Sequence, residues 1–538
     1  MELSTLILRL QDPTIYPDHP SRVDVVQTHI SALFLIERYV YKIKKPVDFG
    51  FLDFTTLEKR LFFCQEEVRL NRRLCPDIYL GVREIRWDGR SLSLEPGPGE
   101  VVEYAVQMRR LPQERMMDRL LARGEVSPAL LRRIAEKLAD FHARAAAGPR
   151  ISSFAEMGTI RGNWEENFAQ TEKYISLSIA AGTFLRIREG VETFLRENPA
   201  LFQERISGGR IRDGHGDLHL QHICLSDDIL IFDCIEFNDR FRCCDVAADL
   251  AFLLMDLDFH ACPDLSAELA AAYMGISRDW SLFLLLDFYK CYRAYVRGKV
   301  IGFRWDDPVI SQTERTAALE EAREYFHLAE RYASRLNRPF LLLTCGLMGT
   351  GKSTIARALA AALGWEHLSS DVERKRLAQI PPAERRREKF QQGIYSPDFS
   401  RATYEALLDG ARRRLTAGKS VLLDASFSQQ RFREEALALA RRLNAEFLLL
   451  ECRAPEELIR RRLATRGERE NEPSDGRWEL FPAQKSAFEE VSLEPDLHLP
   501  LNTGKAVEEC LQEIIRHLLN RAGKNLPGLA PAGKEVGF

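Results

Sequence analysis

Residues 346–354, "GLMGTGKST", satisfy the pattern G-x-x-x-x-G-K-[ST] through Gly346, Gly351, Lys352 and Ser353. Glycines there, with Gly349 between them, allow backbone amides to turn inward and cradle phosphate oxygens at a helix N-terminus. Lys352 is expected to reach the terminal phosphates of ATP, the Ser353 hydroxyl to ligate Mg2+, and Thr354 to complete the loop. Asp424 ends the apolar run "VLLDA", where its carboxylate would face the same Mg2+. Asp371, in "SSDVERKRL", is placed to take a proton from a substrate hydroxyl, or else to cap a helix. Arg462 and Arg466, four apart, are expected to clamp phosphates as a lid closes; a solvated basic face is the alternative.

A second cluster lies far upstream, in "HGDLHLQHI" (215–223) followed by "ILIFDCIEFND" (229–239). A loop aspartate, Asp217, and an aspartate at the end of the next strand, Asp233, form the layout that kinase-type phosphoryl transfer requires. Asp217 would orient the acceptor hydroxyl and Asp233 would hold a metal that bridges phosphates. Two other readings stay open. His215, Asp217, His219 and His222 could bind a transition metal in a hydrolase, or His215 could simply brace a loop in a binding module.

These residues need elements to position them. Segment 339–520 alternates apolar strands ("FLLLTC", "HLSS", "VLLDA", "FLLLEC", "LHLPL") with helical patterns, which predicts a parallel sheet covered on both faces. The earlier part reads as a small mixed lobe, with strands around "FLIERYVYKIKKPVDF" and a helix over "TTLEKRLFFCQEEVRLNRRL", followed by long helices. A boundary falls near Asn337-Arg338-Pro339. The sequence thus divides into 1–330, 338–520, and a Gly/Pro/Ala-rich tail, 521–538, expected to be disordered.

With 538 residues, a formal charge of −3 and no apolar run near ~20 residues, composition gives no reason to expect a nucleic-acid or membrane partner. The first twenty residues lack a secretory pattern, and eleven scattered cysteines without a Cys-x-x-Cys pair suggest reduced thiols in a cytoplasmic protein. Oligomeric state is not legible.

The downstream ensemble resembles the small P-loop kinases: gluconate and shikimate kinases, zeta toxins and the kinase half of polynucleotide kinases. "SSD", "DAS" and "RRLATR" followed by Ser474-Asp475 share the resemblance. It implies γ-phosphoryl transfer to a small hydroxyl compound, with Asp371 as base. The upstream part, over roughly 30–300, is similar to aminoglycoside phosphotransferases and choline-kinase-like enzymes, through His215-Gly216-Asp217, Asp233, and Asp245 with Asp249. That resemblance implies a strand lysine on the ATP phosphates, Lys42 or Lys44, with Lys42 favoured. It also implies a partner glutamate, Glu66 or Glu67. The family's second magnesium ligand is an asparagine five residues after the catalytic aspartate. Here that position is His222, a nitrogen donor that Mg2+ disfavours.

The expected architecture is an α+β bilobal protein-kinase-like domain followed by an α/β P-loop domain with a five-stranded parallel sheet. The expected activity is ATP- and Mg2+-dependent phosphorylation of small-molecule acceptors at two sites. The alternative is an ATP-dependent regulatory or adaptor protein whose first domain binds a ligand without phosphorylating it.

Overall fold

A computed structural model describes residues 1–307, 310–381, 384, 388–466 and 475–524. Among them, the first lobe carries a six-stranded antiparallel sheet: β1 (Asp24–Gln27), β2 (Ser31–Leu35), β3 (Tyr39–Lys44), β4 (Tyr79–Trp87), β5 (Leu92–Ser93) and β6 (Glu100–Arg109), in the order β1-β2-β3-β6-β4-β5. Period-two alternation in β3 sends Tyr41 and Ile43 into a core with Phe34, Ile85 and Ala105. Lys42 and Lys44 therefore share the other face. Across that face lies α1 (Leu57–Asn71), started by the Thr56 side chain, which accepts from the Lys59 N–H. Its Cys64 and Val68 pack on Tyr79 and Val106.

The second lobe is mainly helical. A short hairpin, β7 (Ile223–Leu225) and β8 (Ile229–Ile231), leads into α2 (Val246–Phe259), every residue of which from Val246 to Asp258 is buried. A helix buried on all sides belongs at the centre of a bundle. Around it stand α3 (Pro263–Ser277), α4 (Leu286–Gly302) and α5 (Gln312–Ala333), the last opened by a capping box of Ser311 and Glu314.

The third part is an α/β sheet. Its strands are β9 (Phe340–Cys345), β10 (Glu366–Ser369), β11 (Val421–Asp424), β12 (Glu446–Arg453) and β13 (His498–Asn502). All pairings are parallel, in the order β10-β11-β9-β12-β13. Helices α6 (Lys352–Leu363), α7 (Ser370–Leu377), α8 (Glu456–Arg466) and α9 (Val507–Lys524) connect or flank the strands. Because α9 runs to Lys524, residues 521–524 are helical and the expected tail cannot begin at 521; residues 525–538 lie outside those described.

The helical lobe and the α/β sheet share one apolar core. Leu511, Ile514, Ile515 and Leu518 form the i, i+3, i+4, i+7 stripe of α9, and it packs in the same cluster as Leu269 and Tyr273 of α3. The ring of Phe340, at the start of β9, stacks on Trp365 at 5.0 Å and meets Phe283 of the helical lobe at 5.8 Å. Arg335, between the two parts, pairs with Asp287 at 2.8 Å and donates to the Ala522 carbonyl at 2.6 Å.

Candidate active sites

The first site is assembled across the lobes. The two oxygens of the fully buried Glu67 face different lysines: Oε2 accepts from Lys44 Nζ at 2.7 Å, and Oε1 lies 2.9 Å from Lys42 Nζ as a charge contact without hydrogen-bond alignment. Lys42 donates in addition to Asp233 Oδ1 at 2.8 Å, and Lys44 to Glu236. Two ammonium groups thus meet three carboxylates. Burial opposes the charge on Lys42, but Asp233 and Glu67 outweigh it and hold its pKa well above the ordinary lysine value. Burial likewise opposes ionisation of Asp233, and Lys42 and His222 reverse this, leaving its carboxyl low. Glu236 differs: burial and the neighbouring Glu67 keep its pKa raised despite Lys44.

Glu66, the other glutamate considered, pairs with Arg69 at 2.7 Å on the outer face of α1, away from both lysines. Glu236 was missed by sequence reasoning. Its signal was an acidic residue three positions after Asp233, inside the otherwise apolar "DCIEF".

The catalytic-type loop is braced from below. Both imidazole nitrogens of His215 are used: Nε2–H donates to the Phe232 carbonyl at 2.9 Å, and Nδ1 accepts from the Asp217 N–H at 3.2 Å. Asp249 accepts from the His215 and Gly216 amides at 2.6 and 2.8 Å. Gly216 has φ +86°, and a Cβ there would sit 2.9 Å from the Phe241 carbonyl oxygen, so the turn requires glycine. Asp245 pairs with the buried Arg205 at 2.7 Å and caps α2 through the Ala247 N–H. These contacts give His215, Asp245 and Asp249 structural duties and remove His215 from any ligand set.

Above the brace, Asp217, His219, His222 and Asp233 face one another. His219 Nε2 lies 3.6 Å from Asp217 Oδ2, and His222 Nε2 lies 3.5 Å from Asp233 Oδ2. Asp233 is held at φ +61°, a left-handed conformation that aspartate tolerates at some cost. Burial and the adjacent His219 push the His222 imidazole down to about 4, so the ring is neutral near pH 7.

The second site is more local. Gly346 adopts φ +129°, and a Cβ there would come within 2.5 Å of the Cys452 carbonyl oxygen. The loop then passes Gly349 and Gly351, both at positive φ, into α6, whose first residues are Lys352, Ser353 and Thr354. Thr354 is exposed. The Lys352 side chain folds over the loop and donates to the Leu347 carbonyl at 2.8 Å. Burial lowers its pKa, although Asp424 and Asp371 pull the other way, so all three groups sense one another.

Asp424 ends β11 directly across from Thr344 of β9, whose hydroxyl donates to Asp424 Oδ1 at 3.2 Å. His367, the second residue of edge strand β10 and absent from the sequence reading, approaches Oδ2 at 3.3 Å. Burial raises the Asp424 pKa, but hydrogen bonds with His367 and Ser353 and the charge of Lys352 bring it below the ordinary value. Asp371 lies in the first turn of α7, whose N-cap is Ser369, so it is not the cap. Arg462 donates to the Thr503 carbonyl at 2.7 Å and sits against Gly351. The Arg466 side chain and Ser474 lie outside the described residues, whereas Asp475 accepts from the Tyr395 hydroxyl at 2.7 Å.

Among the described residues no helix is long and apolar enough to cross a membrane. Two family models match the chain: "Phosphotransferase enzyme family" over residues 68–283 and "AAA domain" over 341–491. The chain is 33% identical over 445 residues to "Uncharacterized protein Rv2004c" of Mycobacterium tuberculosis (strain ATCC 25618 / H37Rv), covering 82% of this chain and 86% of that one. Gluconokinase of Gluconobacter oxydans (strain 621H) is 35% identical over 99 residues, 18% of this chain and 51% of that enzyme. A choline/ethanolamine kinase family protein from Mesorhizobium loti aligns over 62% of this chain and 99% of its own, with TM-score 0.35 and 14% identity. The chain belongs to the family of Rv2004c, and with a phosphotransferase domain joined to a P-loop kinase domain it is an ATP-dependent phosphotransferase of small molecules.

Proposed function

We propose that the chain is bifunctional, with two kinase sites that each bind ATP and each transfer its γ-phosphoryl group to a hydroxyl of a small molecule. The observation that carries this reading is the duplication: each site has its own partly buried lysine beside an aspartate at or just past a strand end, Lys42 with Asp233 and Lys352 with Asp424. In either transfer the acceptor oxygen forms a bond to Pγ, the bond from Pγ to the β,γ-bridging oxygen breaks, and ADP leaves. The acceptor proton passes to a carboxylate, Asp371 in the P-loop domain and Asp217, which also orients the hydroxyl, in the first domain.

In the P-loop domain, Gly346, Gly349 and Gly351 hold backbone amides toward the phosphates, and Lys352 swings from the Leu347 carbonyl to the terminal phosphate. Arg462, which lies against Gly351, closes over the nucleotide. The donors at hand are oxygens, the Ser353 hydroxyl and the Asp424 carboxylate, a set that fits Mg2+. When bound, that ion neutralises charge on the β- and γ-phosphates. In the first domain Lys42 is the phosphate lysine and Glu67 holds it in place. Lys44, sealed between Glu67 and Glu236, is a structural ion.

A second reading has one observation in its favour. His222 stands where kinases of this type carry an oxygen donor, and this supports a first domain that binds a ligand without transferring phosphate. Single-site variants separate the two readings. ATP turnover is measured on the full chain across a panel of small hydroxyl compounds with Lys352→Ala, with Asp217→Asn, and with both changes. Two sites predict that each single variant loses a different set of acceptors, by about 100-fold or more, and that the double variant loses all. If Asp217→Asn alters no acceptor, the first domain is the binding module.

A further inference from the structure

In the first domain, the metal that a kinase site calls for meets a donor set unlike that of Mg2+. His219 and His222 bring two imidazoles, their ring centroids 3.9 Å apart, and Asp217 and Asp233 bring two carboxylates. One candidate ligand atom from each of Asp217, His219 and His222 lies within 4.8 Å of the others. We propose that this cluster is a transition-metal site, binding a first-row dication such as Zn2+ or Mn2+ through Asp217, His219 and His222, with Asp233 Oδ2 beside His222, in preference to Mg2+.

Three features carry the assignment. The first is orientation. His222 Nδ1–H donates to the Asp217 carbonyl at 2.8 Å, which fixes the tautomer and leaves Nε2 with its lone pair toward Asp233. A backbone carbonyl behind a ligating imidazole is the usual way proteins aim such a ring. On Asp233, Lys42 takes Oδ1, leaving Oδ2 on the histidine side.

The second is spacing. The 3.6 Å between His219 Nε2 and Asp217 Oδ2 and the 3.5 Å between His222 Nε2 and Asp233 Oδ2 are too long for strong hydrogen bonds. Two ligands each about 2.1 Å from a tetrahedral ion lie roughly 3.4 Å apart, so these gaps have the length of a coordination edge.

The third is donor chemistry. Imidazole suits Zn2+ and Fe2+, whereas Mg2+ demands oxygen. His219 is 4% exposed and packs its ring near Phe252, so it is no surface residue that could turn away. His215, by contrast, has both nitrogens committed and takes no part.

The inference takes its metal requirement from the kinase reading of this domain, but its test needs no ATP. Zn2+ and Mn2+ binding to the full-length chain is measured without nucleotide, by competition with a chromophoric chelator and by electron paramagnetic resonance, with Mg2+ as competitor. Asp424→Asn is included throughout, to weaken the P-loop metal site. Expected is one site that survives Asp424→Asn and prefers Zn2+ or Mn2+ over Mg2+ by at least about tenfold. His222→Asn and His219→Gln should each weaken it by about tenfold or more, with His222→Asn narrowing the gap to Mg2+. Thermal melts of both variants check that the fold persists, and an unfolded variant is replaced by His222→Gln or His219→Asn. Affinity for neither Zn2+ nor Mn2+ above that for Mg2+, no binding at all, or binding indifferent to both histidines overturns the proposal. Absent ATP turnover with intact metal selectivity would count against the kinase reading alone.

Discussion

In the P-loop domain, Lys352 follows Gly346 by six residues, and its hydrogen bond goes back to Leu347, five residues away. In the first domain, Lys42 meets Asp233 across 191 residues, and Lys44 meets Glu236 across 192. One proposed phosphate site is made by a single loop bending on its glycines; the other is made only when two lobes close on a shared cluster of charges. In the first domain, removal of a charged group should therefore damage the fold. In the second it should damage binding and leave the fold standing.

The contrast breaks most sharply at Glu67. Each of its oxygens faces a lysine, and its own exposure is zero. Glu67→Gln leaves Lys42 with Asp233 alone and Lys44 with Glu236 alone. Stripping a buried ion pair costs about 3–5 kcal/mol, and the lower end applies because each lysine keeps one carboxylate. Chemical denaturation followed by circular dichroism should show a loss of about 3 kcal/mol. A loss under about 1 kcal/mol would mean that water reaches these charges.

The same charges set a direction for pH. Glu67 and Asp233 have folded pKa values below their ordinary ones, because the lysines outweigh burial. Their stabilisation is complete above the unfolded carboxyl range and is lost as pH falls through the lowered values. Glu236, raised by burial, works oppositely and softens the transition. Acid should thus weaken the first domain of the wild-type chain more than that of Glu67→Gln, and a denaturation series from pH 7 to pH 3 reads the difference. Parallel curves would remove Glu67 from the account.

Lys352→Ala sharpens the comparison from the other side. Burial already lowers the pKa of this lysine, so its charge is a cost to the nucleotide-free fold. The variant should lose about 100-fold or more in turnover at the P-loop site while its denaturation midpoint stays level or rises. A fall of the kind expected for Glu67→Gln would show that the two sites are built alike after all.

The same difference governs what could be read in advance. The glycine loop, the five strands of its sheet and Asp424 were legible because each signal is contiguous, and an apolar run ending in aspartate says where its carboxylate goes. In the first domain the residue types were legible and the pairing was not. Lys42 and Lys44 occupy one face of β3, and only α1, packed across it, decides that Glu67 rather than Glu66 lies between them. Glu236 and His367 gave weak signals because each acts through a partner on another element. Packing of α9 on α3 was equally hidden: the stripe from Leu511 to Leu518 announces a buried face without naming what covers it. That shared core also bears on the expected boundary near 336–338, since cutting there would bare Phe340, Trp365 and the α9 stripe to water.

The smallest expected effect tests whether even the local site leans on a distant partner. His367 Nε2 lies 3.3 Å from Asp424 Oδ2, on a strand that enters the sheet 57 residues before the aspartate. Thr344 holds the other oxygen, so the carboxylate is fixed from two sides, as the outer contacts of metal sites often are. His367→Asn keeps a hydrogen-bond donor but shortens its reach, and the carboxylate should gain freedom while keeping its charge. Affinity for ATP with Mg2+ should then fall by about tenfold, and affinity for ATP without metal should stay within about twofold. Isothermal titration with and without Mg2+ separates the two. Equal losses in both would make His367 a packing residue of the strand edge, and the P-loop site would then owe its geometry to the glycine loop and the sheet alone.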